Sequence, residues 1–127
     1  MENQIEIKEI CPTTTQAWIK EGALLVDVRE QNEVEQLAFD VPNLLHIPLT
    51  EFEERFNEIP KDKKVVLVCK SGGRSLRATG YLIHNGYDNV VNMKHGIIRW
   101  VQKGFSTKGD TSIVSGTDSC CSTSGCC

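Results

Sequence analysis

Val65-Val66-Leu67-Val68-Cys69-Lys70-Ser71-Gly72-Gly73-Arg74-Ser75 carries most of what this chain of 127 residues discloses. Its apolar run is continuous, the pattern of a strand buried on both faces in a parallel sheet. The run ends on a cysteine, crosses a short loop with two glycines and enters a helix at Arg74-Ser75. A cysteine closing an apolar strand is by default a packing residue. Here the thiol meets converging backbone N–H groups and the positive end of a helix dipole, which favour negative charge on sulfur. Lys70 and Arg74 add two full positive charges beside it. The pattern is that of a nucleophilic sulfur that attacks an anion.

Outward from this stretch, strands are predicted at Ile5–Ile7, Leu24–Val28, Leu44–Ile47, Lys64–Val68 and Val90–Asn92. Helical patterns fall between them. Thr13 or Thr14 caps a short helix through Ala17, Trp18 and Ile19 that Gly22 ends. Gln31 to Ala38 carries Val34, Leu37 and Ala38 on one helical face. Thr50-Glu51-Phe52-Glu53 fits a capping box, with Phe52, Phe56 and Ile59 at helical spacing before Pro60. Ser75 to His84 follows the cysteine loop, with Asn85-Gly86 as its stop, and Ile97 to Lys103 closes the domain. The alternation predicts an α/β fold, a mostly parallel five-stranded sheet with helices on both faces. Ligands in such folds sit outside the carboxyl ends of the strands, where Cys69 and the Asp27–Glu30 segment both fall.

The chain is long enough for one domain, assigned to residues 1–105. Residues 106–127 are rich in Ser, Thr, Gly and Cys and read as a flexible tail. Charged residues make up 24% and the net charge is -3, which gives no reason to expect nucleic acid or a membrane surface as partner. No apolar stretch approaches the ~20 residues needed to span a bilayer. Met1-Glu2-Asn3-Gln4 lacks the basic start of a secretory signal, so the cytoplasm is the expected location. Cys11 reads as a passive buried thiol, whereas Cys120, Cys121, Cys126 and Cys127 crowd the end of the chain. That is not the dispersed pattern of a disulfide-stapled scaffold but a reduced domain with a separate thiol device. His46, His84 and His95 have no metal-ligand spacing, and Trp18 and Trp100 read as core or lid residues.

Four residues separate Cys69 from Arg74, one fewer than in the phosphate cup of cysteine-dependent phosphatases. The smaller loop suits a single sulfur atom better than a phosphoryl group. In this the chain resembles the single-domain rhodanese-like sulfurtransferases. Leu24-Leu25-Val26-Asp27-Val28-Arg29-Glu30 is similar to that family's Asp-Val-Arg strand end, and His46-Ile47-Pro48-Leu49 to its Ile-Pro segment. Gly86-Tyr87, Val90-Val91-Asn92-Met93 and Gly96-Ile97-Ile98-Arg99-Trp100 resemble its last strand and the start of its tryptophan helix. The likeness runs from Ile5 to Phe105. It departs from the pattern at Phe39-Asp40-Val41-Pro42-Asn43-Leu44 and at His95, which stands in place of a glycine.

The resemblance implies a two-step sulfur transfer. Cys69 attacks the outer sulfur of thiosulfate or a persulfide donor, and a thiol acceptor, or cyanide in vitro, takes the sulfur from a Cys69 persulfide. The amides of Lys70, Ser71, Gly72, Gly73 and Arg74 would surround the persulfide, with both glycines free to adopt positive φ. Arg74 would hold a sulfonate through its fork, and Lys70 would attract the donor anion. Asp27 and Arg29 are implied to brace the loops. No cofactor is expected beyond the covalent persulfide. The expected partners are a small anionic sulfur donor and a thiol acceptor or sulfur-carrier protein. The tail cysteines leave three readings open: a sulfur relay, a site for a soft ion (Cu, Zn or As), or no function. A thiophilic metal or metalloid handling protein is the alternative to the enzyme. A phosphatase or arsenate reductase is a third reading, against which the short loop counts.

Overall fold

The computed structural model describes residues 7–109. Five parallel strands form the main sheet: β1 (Glu9–Ile10), β2 (Leu24–Asp27), β4 (Leu44–His46), β5 (Val65–Val68) and β6 (Val90–Met93). Their spatial order is β1-β6-β5-β2-β4. The helices are α1 (Pro12–Lys20), α2 (Gln31–Gln36), α3 (Phe52–Arg55, flanked by short 3-10 turns), α4 (Gly73–His84) and α5 (Gly96–Gln102). No helix among the described residues is long and apolar enough to cross a membrane.

The apolar run of β5 is central, with β2 on one side and β6 on the other. Its alternate side chains enter two separate cores. Val65 and Leu67 pack with Val26, Phe52, Ile59, Ala78 and Leu82, while Val66 and Val68 pack with Leu25, Phe39, Met93, Ile97 and Trp100. All four residues are buried, and each such side chain contributes about 1.5–3 kcal/mol by leaving water. A strand clamped this way presents its end, Cys69, at a fixed place.

Several sequence expectations are corrected. The first described strand is Glu9–Ile10; of the strand expected at Ile5–Ile7 only Ile7 lies within the described residues, and its side chain packs against Gly80 of α4 outside any strand. Residues 37–39 leave the predicted second helix as a strand, β3 (Leu37–Phe39), because Leu37 and Phe39 are both buried while Ala38 is half-buried. That is a period of two. β3 pairs antiparallel with β7 (Thr107–Gly109), Phe39 opposite Thr107. Trp100 joins this closure: its indole donates to the Ser106 carbonyl at 2.8 Å, and its ring meets Phe39 and Phe105 edge-on. The capping box also moves. Glu30 and Glu33 form it at the start of α2, and Thr50 donates its hydroxyl to Glu30 at 3.1 Å rather than capping its own helix. The helix expected through Ile59 is broken into α3 and its flanking turns. Pro12 opens α1, with Cys11 rather than a threonine at its N-cap. The tail readings fall on residues 110–127, outside the described residues.

Candidate active site

Cys69 follows β5, and its sulfur lies at the floor of the loop that leads into α4. Only 1% of the residue is exposed. Among the described residues, Sγ takes hydrogen bonds from the Gly72 amide at 3.1 Å and from the Ser75 amide at 3.4 Å, and the Ser75 hydroxyl oxygen lies 3.4 Å away. Of the five loop amides expected around the sulfur, only that of Gly72 reaches it. Ser75, the first residue beyond them, supplies the rest. Positive φ is needed at Gly72 (108°), where a Cβ would meet the His95 amide at 3.2 Å, and not at Gly73, which starts α4 with open space around it. Backbone N–H groups at a helix start aimed at one sulfur make a site for negative charge on that atom.

Ser75 is itself held. Its hydroxyl lies on the Asn92 Oδ1, while the Asn92 amide group donates to Glu9 at 2.8 Å and to the Gly72 carbonyl at 3.3 Å. Asn92 is fully buried in an otherwise apolar strand. Sequence reasoning passed over it, although a lone polar residue in Val90-Val91-Asn92-Met93 is a signal, since a buried amide demands partners. It ties β1, β6 and the loop together behind the sulfur.

The outer side of the loop is pinned by α5. The Ile97 amide donates to the Cys69 carbonyl at 2.9 Å, and the Ile98 amide to the Lys70 carbonyl at 3.3 Å. So close an approach needs Gly96, where a Cβ would lie 2.2 Å from the Lys70 oxygen. His95 before it adopts φ 68°, the left-handed conformation a glycine would take more easily. The residue as a whole is exposed, but partial desolvation of its imidazole, with the Arg99 and Lys94 charges, lowers its pKa.

Arg74 is half-buried and does not stand free. Its Nη1 and Nη2 donate to the two carboxylate oxygens of Glu33 at 2.7 and 3.0 Å. This pair raises the arginine's pKa and, with a backbone hydrogen bond from Glu30, holds the Glu33 carboxyl down at about 2 against burial. The fork read from sequence as a sulfonate holder is thus engaged by a carboxylate from α2. Lys70, Ser71 and Gly73 are exposed on the loop. Asp27 and Arg29 form a buried ion pair at the end of β2, with Arg29 Nη2 donating at 2.8 Å and its Nε at 3.0 Å. His46 Nε2 meets the Arg29 carbonyl at 2.7 Å, and the Arg29 guanidinium lies over Phe39.

Cys11 is half-buried rather than buried. Burial pushes its thiol up, but hydrogen bonds from Thr14 and Thr13 outweigh this and its pKa is lowered. A cleft of about 320 Å³ lined by Trp18, Lys64, Tyr87 and Val90 opens at the amino ends of the strands, opposite the Cys69 loop.

Residues 12–103 match the Rhodanese-like domain family. A sulfurtransferase of Allochromatium vinosum is 43% identical over 85 residues, covering 67% of this chain and 78% of the relative. Thiosulfate sulfurtransferase GlpE of Pseudomonas syringae is 33% identical over 95 residues, covering 75% and 88%. Among solved structures, a rhodanese-related protein of Thermoplasma volcanium superposes with a TM-score of 0.72 at 28% identity, over 81% of this chain and 99% of that one.

Proposed function

This chain belongs to the rhodanese-like domain family, with sulfurtransferases among its relatives, and we propose that it transfers a sulfane sulfur through a covalent persulfide on Cys69. The observation that carries this reading is the sulfur at the end of β5, facing the Gly72 and Ser75 amides at the start of α4. In the first step the Cys69 thiolate attacks the outer sulfur of thiosulfate or of a persulfide. A new S–S bond forms at Cys69, the donor's own S–S bond breaks, and sulfite or a thiolate leaves. In the second step an acceptor thiolate, or cyanide, attacks the outer sulfur of the Cys69 persulfide and regenerates the Cys69 thiolate. Splitting the transfer in this way is nucleophilic catalysis.

The loop donors stabilise charge on the sulfur without reorganising, because the loop is held by Asn92 on one side and by the Ile97 and Ile98 amides of α5 on the other. The buried sulfur gives the outer atom of a persulfide the exposed position, where an acceptor reaches it. The acceptor is a small thiol or a sulfur-carrier protein, and the persulfide is the only group the reaction requires. Incubating the protein with thiosulfate or a persulfide tests the reading. Intact mass is expected to rise by one sulfur atom, and Cys69→Ser to abolish the gain. A wild-type protein that gains no sulfur from either donor would overturn it.

A further inference from the structure

We infer that Glu33 is a specificity-determining residue which makes this site discriminate against doubly charged sulfonate donors such as thiosulfate and favour persulfides. The inference rests on the sulfur-transfer reading and narrows its donor. Arg74 is the loop cation placed to grip an anion, and it stands within electrostatic reach of Cys69. The end of its fork is committed to Glu33 through two short hydrogen bonds, with both side chains about two-thirds buried. Such a bidentate pair has the geometry by which arginine recognises a sulfonate or carboxylate from outside. A donor that would use that edge must displace Glu33.

Glu33 is not free to swing aside. One of its oxygens accepts the Glu30 amide at 3.0 Å in the capping box of α2, and Glu30 is tied in turn to Thr50. Glu30 also lies close enough to Arg74 to act on its charge. This flank of the loop therefore carries one guanidinium and two carboxylates, leaving Lys70 as the loop cation without an ion pair among the described residues.

The two donor classes place different charge there. Thiosulfate arrives with two negative charges and leaves as sulfite with two; Cys69–S⁻ becomes Cys69–S–S⁻. A persulfide brings at most one negative charge and reacts through its protonated form, R–S–SH. Cys69–S⁻ attacks its outer sulfur, the R–S bond to that sulfur breaks, R–S⁻ leaves, and the proton travels on the transferred sulfur to give Cys69–S–SH. Neither step needs an external oxidant or reductant. Only the first asks a dianion to approach the Glu33 and Glu30 carboxylates.

The test compares sulfur loading of wild type and Glu33→Gln by thiosulfate and by 2-hydroxyethyl persulfide. Glutamine keeps the acceptor that the capping box needs and removes the charge. Loading by thiosulfate is expected to rise in Glu33→Gln by roughly two- to fivefold, the size of a partly exposed charge pair, with a smaller change for the persulfide. Glu33→Asp keeps the charge and is expected to keep the wild-type donor preference. A Glu33→Gln protein whose thiosulfate loading is unchanged or falls, or whose loading by both donors falls together, overturns the inference alone. A wild-type protein that loads from neither donor overturns the sulfur-transfer reading with it.

Discussion

Gly96→Ala puts the geometry of the loop to its hardest test, because the residue lies outside the loop and carries no chemistry. A Cβ there would stand 2.2 Å from the Lys70 oxygen and 2.5 Å from the Cys69 oxygen. The φ of 55° is also one that alanine adopts at a cost. Relief requires α5 to withdraw from the loop, which breaks the hydrogen bonds from Ile97 and Ile98. The left-handed backbone and the two lost hydrogen bonds together amount to about 2–5 kcal/mol. Restoring an ordinary contact moves the Cys69 end of the loop by about 1 Å, and misplacement on that scale costs roughly a hundredfold in rate. Urea unfolding measures the first quantity and the rate of sulfur loading the second. Gly73→Ala is the control for stability, since nothing lies within 4 Å of its Cβ and its φ is negative; it is expected to be neutral or stabilising by about 0.5–1 kcal/mol. A Gly96→Ala protein as stable as wild type and loading sulfur at the wild-type rate would refute the claim that α5 holds the loop.

Other expectations follow from contacts elsewhere. Asp27→Ala leaves the Arg29 charge buried without its partner and should lower stability by about 3–5 kcal/mol in urea unfolding. Glu33 is held at about 2 in the folded protein against an ordinary 4.5, so its contribution is complete above pH 4.5 and is lost as pH falls towards 2. Screened by its partial exposure, that contribution is about 1 kcal/mol, and the acid stability profile of Glu33→Gln should lack it. Ending the chain after Phe105 removes β7 and the Ser106 acceptor of the Trp100 indole, which should cost about 1–3 kcal/mol for the buried N–H alone, whereas ending it after Gly109 should not. Thermal melts of the two truncated proteins decide this.

The parts of the fold that could be read from residues were those whose signal is contiguous. The β5 run, the glycine loop and α4 are neighbours in the chain, so one strand pattern and one cysteine placed the sulfur at a helix start. What escaped depends on partners far away in sequence. Leu37-Ala38-Phe39 fits a helical face as readily as a strand, and only its pairing with Thr107–Gly109 decides between them. Thr50 has a perfect local partner in Glu53 yet bonds to Glu30, which the end of β2 brings beside it. Arg74 had every local mark of a free anion holder, but Glu33, forty-one residues earlier, reaches it from α2. Asn92 and Gly96 looked like parts of a strand and a helix start. Their positions behind and in front of the Cys69 loop exist only once β6 packs beside β5.

The central claim is that one sulfur atom is carried covalently on Cys69. Thiosulfate labelled in its outer sulfur tests this directly, with peptide mapping of the loaded protein and recovery of the released sulfite. The label is expected on the peptide that contains Cys69, and the sulfite is expected to leave unlabelled. Label recovered in the sulfite, or found on the peptide holding Cys120, Cys121, Cys126 and Cys127 in a Cys69→Ser protein, would contradict the account.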